Sequence, residues 1–399
     1  MNSKEWMNLK IEDFAELVKK HYTPKIDEDL IYIGLEHIEQ KTLHINGVGK
    51  SKEVISQKLK FNDGDILFGK LRPYFRKVYH PKFSGVCSTD IWVIKAKKGF
   101  DQTFLFYFFA NDDLINVANN GSSGTKMPRA DWNHLSGTIW RIPPLLVQQE
   151  IANILSSLDE KVELNRQTNA TLEAIAQALF KEWFVDFNFP GATGEMVESE
   201  LGMIPKGWRI GSILEIADLL SGGTPNTQIP EYWNGDIKWV SAKDVSNAQG
   251  SFLTDTERKI TSKGVEKSNA KILPQYTTVV TARGTVGSYC ILSEAMAMNQ
   301  TNYGLKSKEK DSNYFVFYLL RNLVGQLRQA SYGTIFDTIT TITFEKSKIF
   351  IPPDSIVRTF DQKVAPIMDK ILSNLDQINT LTHIRDALLP KLMSGEIEV

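Results

Sequence analysis

The strongest constraint on this chain is that it is written twice. Phe104-Leu-Phe-Tyr-Phe-Phe-Ala-Asn111 returns 211 residues later as Phe315-Val-Phe-Tyr-Leu-Leu-Arg-Asn322. Gly124-Thr125 returns as Gly333-Thr334 and Ile142-Pro-Pro144 as Ile351-Pro-Pro353, both at an offset of 209. Trp6 and Trp208 open the two halves. Matches in one order at a near-constant offset imply two copies of one supersecondary unit, a pattern that must be recognised before any fold is assigned.

A long heptad series follows each Ile-Pro-Pro. The first runs Leu155, Leu158, Val162, Asn165, Asn169, Leu172, Ala176, Leu179, Trp183. Adding 209 gives Val364, Ile367, Ile371, Asn374, Ile378, Leu381, Arg385, Leu388, Leu392. Alternating steps of three and four are the coiled-coil period. Asn165 and Asn374 fall at the same place in each series, where a buried amide commonly fixes register. The favoured reading pairs the two helices with each other; the plainer one lays each helix on its own module. Each stretch covers about 38 residues, roughly 57 Å of helix, which suits a spacer. Pro366 is expected to kink or reset the second helix.

The resulting map is a module at 1–145, a helix at 146–185, a Gly-, Pro- and acid-rich linker at 186–207, a module at 208–353 and a helix at 354–399. Asp65-Ile-Leu-Phe68, Ile91-Trp-Val-Ile94 and Thr277-Thr-Val-Val280 read as strands, and Phe104–Asn111 and Phe315–Asn322 as buried helices. The fold class is α+β: two mixed modules in a pseudo-twofold arrangement, joined by two long antiparallel helices.

Charge becomes informative only on this map. The 46 Lys plus Arg and 47 Asp plus Glu give a net charge of −1, unlike a simple nucleic-acid binder. The modules, however, carry +4 and +3, and the helices, linker and tail together −8. Both modules are therefore candidate nucleic-acid readers. The sharpest basic cluster is Gly69-Lys-Leu-Arg-Pro-Tyr-Phe-Arg-Lys77, where Lys70, Arg72, Tyr74 and Arg76 are candidate contacts; a basic hairpin on a solvated surface is the plainer reading. Its counterpart, Thr281–Ser288, offers Arg283 and Thr285. A second loop pair offers Lys126 and Arg129, then Tyr332 and Thr334; helix capping competes with phosphate contact there. Lys243 ends a candidate strand. Trp183, Phe184 and Phe187 form an aromatic cluster read either as a docking site for a partner or as packing against the second module.

Other chemistries fit poorly. Gly47-Val-Gly-Lys-Ser51 resembles a phosphate loop, but His44 stands where its first glycine is needed. Asp354, Asp361 and Lys363 mimic a nuclease signature; in a helix they read as surface charge. The six histidines lack metal-ligand spacing, and no target-amine motif of an adenine methyltransferase is present. The longest apolar run, Phe104–Ala110, is too short to span a membrane. Two cysteines and no apolar leader suit a soluble cytoplasmic chain.

These residues resemble the specificity subunit of type I restriction–modification systems. The resemblance is carried by Ile142–Leu155, by Leu158-Asp-Glu-Lys161 with Ile175–Phe187, by Glu198–Trp208 and by Gly64–Pro73. It implies target recognition domains that each read half of a bipartite, asymmetric double-stranded DNA site, with the helices setting the spacer. It implies two methylation subunits and restriction subunits as partners. It places S-adenosylmethionine, ATP and Mg on those partners, with no cofactor, metal or catalytic residue in this chain. A stand-alone DNA-binding regulator built from the same modules is the alternative.

Overall fold

The computed structural model describes residues 5–25, 27–122, 127–248, 250–310, 312–330 and 338–399. The chain divides into two compact units. The first comprises Met1–Glu163 with Asn379–Val399, and the second Leu164–Ile378. The division cuts through both long helices, Leu145–Phe184 and Asp354–Ser394, so each unit holds one piece of each.

In the first unit, strand Met7–Lys10 pairs antiparallel with Ile139–Ile142, the strand that leads into Pro143. The main sheet runs in the order Ala15–Leu17, Ile91–Ala96, Ile66–Gly69, Val78–Tyr79. Its central strand begins Ile91-Trp-Val-Ile94 with four buried residues in succession, the continuous apolar pattern of a strand covered on both faces. Helix Gln102–Ala110 covers one face. Asp101 caps it, its carboxylate accepting from the Phe104 amide at 2.8 Å, and Phe104–Ala110 are all buried. A second sheet contains one parallel pair, Ile31–Ile33 with Gly85–Cys87.

The second unit repeats this plan. Arg209–Ser212 pairs with Lys348–Ile351. The main sheet runs Ala217–Ser221, Asn302–Ser307, Thr278–Thr281, Tyr289–Leu292, with Phe252–Leu253 added at the edge. Its second sheet again has one parallel pair, Trp233–Val240 with Met296–Met298. Helix Asn313–Ala330 takes its cap from elsewhere: the carboxylate of Asp361 accepts from the amides of Tyr314 and Phe315 at 3.0 and 2.8 Å. Asp361 is thus buried and caps a neighbouring helix, which corrects its reading as helix-surface charge.

Within each unit the helix pieces pack together. In the second, Asn374 donates to Asn169 at 2.8 Å, Asn169 to the Ile371 carbonyl at 3.3 Å, and Asn165 to Gln377 at 3.3 Å. Partner numbers rise on one helix as they fall on the other, so this pair is antiparallel. Asn374 meets Asn169 rather than Asn165, because equivalent positions of an antiparallel pair face each other only at its midpoint. In the first unit, Ile151, Ala152 and Leu155 share a core with Leu389, Leu392 and Met393. Along the heptads, Leu155, Val162, Asn165, Val364, Ile371 and Asn374 are buried, while Leu158, Leu172, Ile367 and Leu381 are half-buried. The second helix is continuous through the exposed Pro366, so the expected reset does not occur.

Candidate nucleic-acid interface

In the first unit, strand Ile66–Gly69 delivers the chain into a single tight turn, Pro73–Phe75. It is bracketed by two non-glycine residues in the left-handed region, Arg72 at φ 52° and Arg76 at φ 47°. Such conformations cost about 1–3 kcal/mol each and persist only where surroundings enforce them. Arg76 supplies the enforcement. Its guanidinium donates to the Lys41 carbonyl at 2.8 Å and reaches Asp112 at 3.2 Å and Asp386 at 3.3 Å. Lys77 donates to the Leu35 carbonyl at 2.5 Å, and burial lowers its pKa. The Arg72 amide donates to the Pro128 carbonyl at 2.7 Å, and Leu71 bridges Arg129. The turn therefore presents Tyr74, 43% exposed, and holds Arg72 and Lys70 half-buried beside it. Arg76 cannot serve as a phosphate contact: its side chain is 7% exposed and its donors face carboxylates. Arg129 is half-exposed and held to Asp90 at 3.2 Å. Lys126 lies outside the described residues.

In the second unit, the loop after strand Thr278–Thr281 is shaped by its own polar groups. The Thr281 hydroxyl donates to the Thr285 carbonyl at 2.5 Å and accepts from the Ser288 amide at 3.0 Å. Gly284 and Gly287 supply φ of 82° and 79°, which side-chain-bearing residues rarely adopt. Arg283 and Thr285 are left exposed. Lys243, on helix Ala242–Asn247, pairs with Glu257 at 2.6 Å; the bond raises the lysine's pKa and lowers that of the carboxylate. Exposed pairs of this kind are weak. Tyr332 and Thr334 lie outside the described residues.

Docking through Trp183, Phe184 and Phe187 is corrected by burial. Trp183 and Phe184 are 4% and 5% exposed. Both rings pack on Phe360, at 5.9 and 5.1 Å, and Phe184 also on Phe315 and Trp208. Phe187 packs on Trp208 and Phe350. These residues are the core of the second unit. Spacing in the sequence could not reveal this, because their partners stand 21 to 177 residues away in the chain.

Among the described residues, no three His, Cys, Asp or Glu are placed to hold a metal, and no helix is long and apolar enough to cross a membrane. Both cysteines are buried and unbonded, and burial pushes the Cys87 thiol up to about 12. Sequence reasoning also missed cations stacked on rings, such as Lys60 5.0 Å from the Tyr22 centroid.

Comparison with known proteins also finds the duplication. The pattern of the family described as Type I restriction modification DNA specificity domain matches twice, over residues 3–174 and 205–388. The specificity subunit of the type I restriction enzyme HindI from Haemophilus influenzae is 26% identical, over 98% of this chain and all of that protein. The MjaIX specificity subunit from Methanocaldococcus jannaschii is 28% identical over 76% of this chain and 71% of its own length. The crystal structure of a type I restriction–modification S subunit from M. genitalium superposes with a TM-score of 0.57 at 14% identity, covering 98% of this chain and 97% of that one, a likeness of fold. With two tandem matches spanning most of its length, this chain belongs to the type I restriction–modification DNA specificity family.

Proposed function

We propose that the chain is the DNA-reading subunit of a type I restriction–modification complex, each unit reading one half of a bipartite double-stranded target. The observation that carries this reading is the double family match on two units of one topology whose exposed loops differ in chemistry. Unlike loops, Lys70 to Tyr74 in one unit and Arg283 to Thr285 in the other, imply an asymmetric target. The two helices, 40 and 41 residues long, set the spacer between half-sites, expected at about one turn of B-DNA (roughly 10 bp). Two methylation subunits dock on the exposed helix faces, where Leu146, Leu164 and Ile175 are 69%, 55% and 49% exposed, and restriction subunits join them. S-adenosylmethionine, ATP and Mg belong to those partners, and so does catalysis. The modest charge of the units implies that the partners supply much of the salt-sensitive grip on phosphates.

Co-expression with the neighbouring methyltransferase, followed by sequencing of genomic methyladenine, tests the proposal. One asymmetric bipartite motif is the expected outcome. Absence of any new modified motif would overturn it in favour of a stand-alone regulator. Adding a helical turn within both helices should lengthen the spacer and leave the half-site bases unchanged.

A further inference from the structure

In the second unit, strand Arg258–Ile260 pairs antiparallel with Trp233–Val240, which places Arg258 opposite Trp239. The longer strand carries a bulge: Trp233 and Ile237 both oppose Ile260, and Asn234 sits at φ 60°. Gly235 permits the bulge, since a Cβ there would lie 2.6 Å from the Ile260 carbonyl oxygen. Bulges re-aim side chains. Here the Trp233 ring meets the Trp239 ring edge-on, with centroids 5.2 Å apart at 86°. Both indoles are buried and anchored, Trp233 donating to the Asn226 carbonyl at 3.1 Å and Trp239 to the Gly223 carbonyl at 3.0 Å.

The guanidinium carbon of Arg258 lies 3.5 Å from the Trp233 centroid and 5.6 Å from that of Trp239. Arg258 is itself exposed. Of the cations around it, Lys243 pairs with Glu257, Lys263 with Glu231 and Lys238 with Glu294, while the adjacent Lys259 is exposed. Among the described residues, Arg258 makes no side-chain hydrogen bond or ion pair. It is therefore a flat, permanently charged fork of donors, stacked on a rigid platform with its donor edge turned to no protein acceptor. Stacking restricts the rotamers whose loss otherwise opposes ligand binding by a long side chain. A preorganised fork matches O6 and N7 of guanine in the major groove, which the point charge of a lysine on its flexible stem does not.

We propose that Arg258, held on the Trp233–Trp239 platform, is a base-reading residue of the second unit that takes the major-groove edge of a guanine. This rests on the DNA-reading function proposed above. The test compares methyladenine motifs of the wild type, R258A and R258K in the assembled complex with its methylation subunits. Both variants are expected to relax one guanine position in one half-site by roughly 5- to 150-fold, with the other half-site unchanged. Lysine fails here because it lacks the fork. If R258A abolishes methylation altogether, R258K, which keeps charge and stem, decides by the same readout. An unchanged motif in R258A, or a retained guanine in R258K beside uniformly weaker R258A, would overturn the proposal. No bipartite motif from the wild type would instead overturn the DNA-reading function, and this inference with it.

Discussion

The duplication offset places Tyr107, Asp159 and Arg385 of the first unit in register with Tyr318, Met368 and Ala176 of the second. The geometry is shared and the chemistry is opposite. Tyr107 donates to Asp159 at 2.7 Å, whereas Tyr318 lies 3.6 Å from the Met368 sulfur. Arg385, fully buried, reaches Asp159 at 2.6 Å, Asp386 at 2.9 Å and the Thr42 carbonyl at 3.3 Å. Asp386 also holds Arg76, which fixes the turn presenting Tyr74. The second unit fills the same seam with alanine and methionine, and its exposed loop is held by Thr281 instead. Buried charge is costly to desolvate, and here Arg385 meets that cost with Asp159, Asp386 and the Thr42 carbonyl. In the first unit it couples the helix seam to the candidate DNA contact.

Breaking the charged seam should produce the largest effect. R385A leaves Asp159 buried without its cation, a loss of about 3–5 kcal/mol. Peptide-resolved hydrogen exchange should show the first unit losing protection while the second keeps it. The double variant R385A/D159M installs the chemistry of the second unit and should recover most of the loss. A double variant as unstable as R385A would mean that the arginine stem, rather than its charge, fills the seam.

The tyrosines sharpen the comparison. Y107F removes a hydrogen bond to a charged acceptor and should cost about 1.5–3 kcal/mol. Y318F removes one to a thioether, a weak acceptor, and should cost well under about 1 kcal/mol. Equal costs in denaturant titration would show that the two seams do not differ as their partners suggest. Within the second unit, N169L strands the buried amide of Asn374 and should cost about 1–3 kcal/mol. N169L/N374L should restore stability.

Much of the architecture was legible because its signals are local. The heptads marked both helices, and apolar runs such as Ile91–Ile94 marked the sheets. What escaped depends on distant partners. Arg76 looked like a phosphate contact within a basic cluster, yet its carboxylates are 36 and 310 residues away. The Trp183–Phe187 cluster looked available because Phe315 and Phe360 could not be placed beside it. Arg258 carries no local signal because its platform depends on a bulge in another strand. Two tryptophans six residues apart, Trp233 and Trp239, are the local sign of that platform.

The smallest expected difference concerns pH. All six histidines, at 21, 37, 44, 80, 134 and 383, belong to the first unit. His80 packs on Phe106 with ring centroids 5.2 Å apart, and its Nε2 meets the Gly64 carbonyl at 3.0 Å. Burial, aided by Lys82, lowers its pKa below the ordinary value. The unfolded chain, with an unperturbed histidine near about 6.5, therefore binds the proton first. Its contribution to stability is complete above that pH and is lost as pH falls towards the folded value. H80Q isolates the His80 component from the other five histidines. Between pH 7.5 and 5.5, exchange corrected for its intrinsic pH dependence should rise in first-unit peptides, less so in H80Q, and not through histidine in the second unit. An equal rise in both units, or an H80Q slope matching the wild type, would remove His80 as the cause.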